Sequence, residues 1–248
     1  MVYPVARGAV LNNNAWPMER IESIDALPEL REDDIHIWGV HVPSVRKRLG
    51  ALGGFLNETE LARAARFHGE GDRETAVASR GALRVLLAGY SGAAPTDIVF
   101  RYSENGKPRA VDTGVDFNVS HSGEWIVLAI GKERQIGVDV EEIRRNVDVD
   151  SIAARYLTKE ESAWIAQAED PYAVFFQIWA RKEAYVKARG SALFRELSSF
   201  TVPLEDVEKD GWSFHRLEAG SKYAAAVVAD RPASRIPCYD FGGLKWAN

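Results

Sequence analysis

Glu183 and Lys187 stand four residues apart in a stretch without Gly or Pro, 175–187. Its apolar residues Phe175, Phe176, Ile178, Trp179 and Val186 recur at roughly helical spacing. On a helix the two charges point the same way, with Lys182 beside them. Such an acid between two lysines reads in two ways. One is an exposed ion pair, which contributes little. The other is a metal-and-phosphate site, with the carboxylate on a cation and the amine on phosphate oxygens. Asp139 and Glu141 lie two apart at the end of an expected strand, so both project to one face. Two acids that close repel unless a cation sits between them, and oxygen donors suit Mg²⁺ or Mn²⁺. The alternative is a solvated strand end neutralised by Arg144 and Arg145. A third cluster, Ser120-His121-Ser122-Gly123, ends another expected strand with two hydroxyls, a ring N–H and backbone amides able to hold phosphate oxygens. It is not a Ser/His hydrolase pair. Adjacent residues on an extended chain point apart, and no Gly-x-Ser-x-Gly is present.

The elements that must position these residues follow from pattern and caps. Residues 1–33 read as an irregular leader, and 35–42 alternates as a first strand carrying His36 and His41. Asn57 before Glu58 and Glu60 predicts a helix to about Phe67, and a second helix runs from about Asp72 to Tyr90, ended by Gly92. Short strands are expected at 97–102, 117–120, 125–130 and 136–140, with a turn at Asn105-Gly106 and a hairpin over 131–135. Helices follow at 151–156 and after Thr158, where Glu161 completes a capping-box pattern. Asp170-Pro171 opens the Glu183 helix and Gly190 closes it. Strands at 200–202, 212–216 and 223–229 precede a tail at 242–248.

Composition excludes several classes. The 248 residues are 46% hydrophobic and 27% charged, enough for a substantial core. A net charge of −5 argues against bulk nucleic-acid binding, though not against a local basic pocket. The single Cys238 cannot form an intrachain disulfide and no Cys/His cluster supports structural zinc, so a reducing, cytoplasmic setting is expected. No signal-peptide pattern opens the chain, and no apolar run reaches the roughly 20 residues of a membrane span.

The order of the clusters narrows the field. Gly106-Lys107-Pro108, Asn118-Val119-Ser120-His121-Ser122, Gly137-Val138-Asp139-Val140-Glu141 and Trp179 through Lys182-Glu183 to Lys187 together resemble the 4′-phosphopantetheinyl transferases of the Sfp type. Each block is weak alone, and all four in order are specific. The resemblance implies an α+β fold of two similar pseudo-symmetric halves, each a small antiparallel sheet packed with helices, with the active site in the cleft between them. The halves would be 34–135 and 136–248, the second holding the metal site, in a monomer. It implies transfer of the phosphopantetheine arm of coenzyme A to a serine of an apo acyl, polyketide or peptidyl carrier protein. Asp139, Glu141 and Glu183 would ligate Mg²⁺ (or Mn²⁺), Lys187 would contact the diphosphate, and Glu183 is the candidate base. Asp139, Glu183 and Lys187 are thus the catalytic set. Ser120 and His121 would hold coenzyme A phosphates, and Lys107 and Pro108 would line the adenine side. For the 3′-phosphate Arg63, Arg66, Arg73 and Arg80 are candidates, Arg80 first. Exposed residues between Asp148 and Trp164 would meet the carrier.

Two other classes compete. A metal-dependent nuclease normally spaces Glu and Lys two apart on a strand, which Glu183 and Lys187 do not match. A non-catalytic coenzyme A- or carrier-binding relative would lack an acid or the lysine, and none is missing.

Overall fold

Alternation within the strands dictates how the layers stack. A computed structural model describes residues 16–191 and 194–246. In chain order the elements are β1 (Glu19–Arg20), β2 (Ile35–His41), α1 (Val42–Val45), α2 (Leu49–Gly54), α3 (Glu58–Ala64) and α4 (Glu70–Ser91). Next come β3 (Phe100–Tyr102), β4 (Pro108–Ala110), β5 (Asp116–Ser122), β6 (Trp125–Gly131) and β7 (Ile136–Glu142). The remainder is α5 (Val149–Tyr156), α6 (Lys159–Gln167), α7 (Pro171–Arg189), β8 (Val207–Lys209), β9 (Trp212–Leu217), β10 (Tyr223–Ala229) and β11 (Cys238–Asp240). The first sheet has the order β1-β11-β2-β6-β5 and the second β7-β10-β9-β8, with β3 and β4 forming a small hairpin. The fold is therefore α+β, with two sheets each covered by helix.

Trp38 and Val40 of β2, with Ile126 and Leu128 of β6, bury against Val85, Leu86 and Leu87 of α4. The alternate residues Ile35, Ile37, Val127 and Ala129 face the second sheet, where they meet Val138, Val140, Ala225 and Val227. On the far side of that sheet Ala224, Ala226 and Val228 pack with Phe175, Ile178, Ala180 and Ala184 of α7. The stack runs α4, sheet, sheet, α7. Because Val138 and Val140 point to the other sheet, the odd-numbered Gly137, Asp139 and Glu141 look towards α7.

Helix α7 forms where its caps predict. Asp170 accepts from Ala173 N at 3.2 Å, Pro171 takes the first turn, and Gly190 closes the helix in the left-handed region at φ 62°. Small residues at 180, 184 and 188 let its backbone lie directly on β7. A Cβ on Gly137 would collide with Ala184 O and Ala188 N, so glycine is required there.

Several expectations fail for physical reasons. The stretch 131–135 is not a hairpin: β6 and β7 belong to different sheets, so the link carries the chain from one to the other. Of the expected leader, 16–33 is partly built in. Glu19–Arg20 pairs in parallel with β11, and Trp16 and Leu30 are buried; 1–15 lies outside the described residues. The tail is likewise anchored, with Phe241 and Leu244 fully buried and Lys245 bridging to Ser23. The first sheet thus includes 19–20 and 238–240, from outside 34–135. Residues 200–202 form no strand; Val207–Lys209 is the edge strand instead. α3 stops at Ala64, three residues short of the expected Phe67.

Because Gly137 admits no side chain, Gly137→Ala should destabilise the protein by about 3 kcal/mol, the upper range for an overpacked core. Urea unfolding of this variant beside wild type measures it, and a loss below about 0.5 kcal/mol would mean that α7 shifts freely on β7.

Candidate active site

Strands β5 and β7 are the facing edges of the two sheets, and polar side chains stitch them together. Asn118 Oδ1 accepts from Val138 N at 2.9 Å, Ser120 Oγ donates to Asp139 Oδ1 at 2.7 Å, and Ser122 Oγ donates to Glu141 Oε2 at 3.1 Å. Ser122 Oγ also accepts from Glu142 N at 3.0 Å. The period of two that aligns Asp139 with Glu141 aligns Asn118, Ser120 and Ser122 opposite them. The roles of Asn118 and Ser122 escaped the sequence reading, although their alternation could have shown them. Lys187, reaching down from α7, donates to Asp139 Oδ1 at 2.6 Å and to Ser120 Oγ at 2.9 Å. Strand β5, strand β7 and helix α7 therefore meet on one carboxylate.

Asp139 is 3% exposed, and its Oδ2 is buried with no hydrogen-bond partner among the described residues. Burial pushes its carboxyl above the usual range against the pull of Lys187. Glu141 and Glu183 are both pushed up to about 7, first by burial and then by the neighbouring Asp139. Among the described residues no three His, Cys, Asp or Glu side chains converge closely enough to cage an ion outright. The donor set nonetheless fits a hard divalent cation: three carboxylates whose pKa values are all raised, and an orphaned buried oxygen.

The other expected residues fall around this centre. His121 points away from Ser120, as adjacent strand residues must. Its imidazole is held below its ordinary pKa by burial and by Lys187. On the first half, the Arg80 guanidinium lies 4.4 Å over the Phe100 ring, with Nε 3.5 Å from Glu60 and Nη1 buried without a partner among the described residues. Arg63 is exposed and donates to Tyr102 Oη at 3.2 Å, Arg66 is exposed, and Arg73 holds the carbonyls of Phe67 and His68. Arg144 is exposed. Lys107 and Pro108 line a cavity of about 700 Å³ bounded by Phe117, Ile136 and Arg189, apart from the acidic centre. The Lys107 ammonium, lowered to about 8 by burial, donates to the carbonyls of Ile136, Lys187 and Ala188 at 3.0, 2.7 and 3.1 Å. No N–H of it remains for a phosphate. Of the stretch expected to meet a carrier, Val149, Ala153 and Leu157 are buried and Trp164 packs partly on the core, while Arg155 and Lys159 are exposed.

Lys182, left open by the sequence between a phosphate contact and a solvated neighbour, is neither. It is fully buried and donates to Glu161 Oε2 at 2.9 Å and to the carbonyls of Leu197 and Phe200. Glu161, also fully buried, accepts from Thr158 N at 2.9 Å and from Val202 N at 3.0 Å. His36 is a core residue on Tyr90 Oη at 2.7 Å, kept neutral by burial that lowers its pKa to about 4.

Comparison with known proteins shows the class to which this two-sheet α+β fold belongs. The family profile described as the 4′-phosphopantetheinyl transferase superfamily matches residues 135–235, and that of the 4′-phosphopantetheinyl transferase N-terminal region matches 43–133. The chain is 34% identical over 210 residues to the 4′-phosphopantetheinyl transferase HetI of Nostoc sp. strain PCC 7120, covering 80% of this chain and 89% of the relative. It is 32% identical over 178 residues to psf-1 of Bacillus pumilus, covering 70% and 73%, and 27% identical over 208 residues to Sfp of Bacillus subtilis strain 168, covering 82% and 84%. The chain belongs to the 4′-phosphopantetheinyl transferase family and is an enzyme of that type.

Two tests follow from the buried charges. Glu141 and Glu183 hold protons up to about 7 in the folded protein, whereas the unfolded chain releases them near 4.5. The folded state thus binds more protons between those values, and stability declines as pH rises through the window. His36 acts with the opposite sign below 6.5, so the measurement is a difference. The Tm of wild type relative to Glu141→Gln or Glu183→Gln in metal-free buffer should fall from pH 4.5 to 7, and a constant difference would contradict this. Lys182→Met should cost about 3–5 kcal/mol by leaving Glu161 buried and unpaired. Adding Glu161→Gln should restore part of that loss in urea melts; additive losses would mean the two residues are not coupled.

Proposed function

We infer that the cleft between β5 and α7 binds coenzyme A and transfers its 4′-phosphopantetheine to the serine hydroxyl of an apo carrier protein, acyl, polyketide or peptidyl. The single observation that carries this reading is the junction of Ser120, Asp139 and Lys187, flanked by Glu141 and Glu183. In the step, a bond forms from the carrier serine Oγ to the phosphorus bearing pantetheine. The bond to the leaving phosphate breaks, and adenosine 3′,5′-bisphosphate departs. Asp139, Glu141 and Glu183 would hold Mg²⁺ or Mn²⁺, which neutralises charge on the transferring phosphoryl group. Lys187 brings its ammonium to the diphosphate from the position it holds on Asp139 and stabilises the leaving oxygens. The Glu183 carboxylate takes the serine proton, directly or through water. Ser120 would meet the diphosphate beside Lys187; His121, on the other side of β5, and Arg80 would take the 3′-phosphate; and Lys107 with Pro108 would border the adenine.

The two sheet-and-helix units are proposed as the two halves of one monomer, divided near Gln135 with 19–20 and 238–240 joined to the first. A cytoplasmic setting is supported by the lone Cys238, and no helix among the described residues is long and apolar enough to cross a membrane.

Incubation with coenzyme A, Mg²⁺ and a panel of apo carriers should add one phosphopantetheine to at least one carrier by intact mass; no gain on any would sink the reading. Glu183→Gln should lower transfer by about 10²-fold or more, the typical contribution of a general base, while coenzyme A affinity weakens far less. Parallel loss of both would limit Glu183 to organising the cation.

A further inference from the structure

Lys107 sits in the turn of the β3–β4 hairpin, in the first half of the chain, yet its side chain ends on the second half. Its three N–H groups meet three carbonyls: Ile136 O at the first residue of β7, and Lys187 O and Ala188 O in the last turn of α7. Beside it, Asn105 Nδ2 donates to Gly190 O at 2.9 Å. The last carbonyls of a helix lack partners along the chain and carry the negative end of its dipole, so a cation there is favoured twice. The three acceptors are not arbitrary. β7 carries Asp139 three residues past Ile136, and α7 carries Lys187 itself. Between them lies Gly137, where the helix backbone touches the strand. One ammonium therefore fastens the strand of the acids to the end of the helix that bears the phosphate-binding lysine.

We propose that Lys107 is a positioning residue, a clamp that locks the C-terminal turn of α7 onto the start of β7 and so fixes Lys187 against Asp139, with its ammonium making no contact to the coenzyme A donor. The inference rests on the transferase reading only for its kinetic arm. In the free enzyme the ammonium is already saturated with acceptors, and a donor phosphate would have to displace backbone carbonyls to reach it. Without the clamp, Ala188 O loses its side-chain donor and the turn holding Lys187 is secured mainly by the Gly190 and Ser191 amides that close the helix.

The wild-type enzyme supplies the first test, which needs no variant to fold and no turnover. Acetylation with an amine-reactive ester, read by peptide mass spectrometry, should label Lys107 at least tenfold more slowly than the exposed Lys132 and Lys222, with or without coenzyme A. Labelling at the Lys132 rate in the free enzyme with protection by coenzyme A would overturn the proposal. In the second test, Lys107→Met should accelerate hydrogen exchange in the 184–190 segment and lower kcat about tenfold or more. Its coenzyme A Kd by calorimetry should stay within about twofold of wild type. A tenfold weaker Kd with unchanged kcat would make Lys107 a donor contact instead, and no change in either quantity would equally overturn the clamp.

Discussion

The Asp139 carboxylate is the joint on which the rest of the molecule turns. One of its oxygens takes a hydroxyl from the first sheet and an ammonium from α7 while its own backbone lies in the second sheet. In a setting this dry, a carboxylate with a single donor would stay protonated or be excluded. Three elements are therefore drawn to it, and none of them can shift alone without leaving a buried charge unbalanced. The adjacent Glu141 and Glu183 raise the demand, since burial and then the Asp139 charge make each less acidic. Three acidic side chains with raised pKa values and one lysine therefore share a small, largely buried volume.

Buried lysines divide the remaining labour. Lys182 binds Glu161 and the segment at 197–200 behind the helix, Lys107 closes its C-terminal end, and Lys187 alone points into the cleft. Burying an amine is unfavourable unless every N–H is met. Lys182 and Lys107 spend their N–H groups mainly on backbone carbonyls, whereas two of the three acceptors of Lys187 are side chains, Ser120 and Asp139.

Much of this was legible in the sequence because local signals and chemistry coincide there. Asp170-Pro171 and Gly190 mark both ends of α7, Asn57 with Glu60 and Thr158 with Glu161 cap as their spacing predicts, and the acids of β7 share a face by simple alternation. What the pattern could not show was which strands neighbour which. An apolar run, a short polar link and another apolar run look like a hairpin, but β6 and β7 part into separate sheets after 131–135. Likewise the short strands at 19–20 and 238–240 carry no period long enough to read, since partners far along the chain define them. The partners of the Lys107 ammonium were hidden for a related reason: only the fold brings the carbonyls of Ile136, Lys187 and Ala188 to it.

The placement of β11 has a consequence for biosynthesis. It lies between β1 and β2, so the first sheet stays open at that seam until residues near 240 have been translated. The nascent first half thus waits with an uncovered strand edge and part of its Trp38 core unfilled. The earlier-made unit is accordingly sealed only after the later one has been synthesised, by the last of the described strands to emerge.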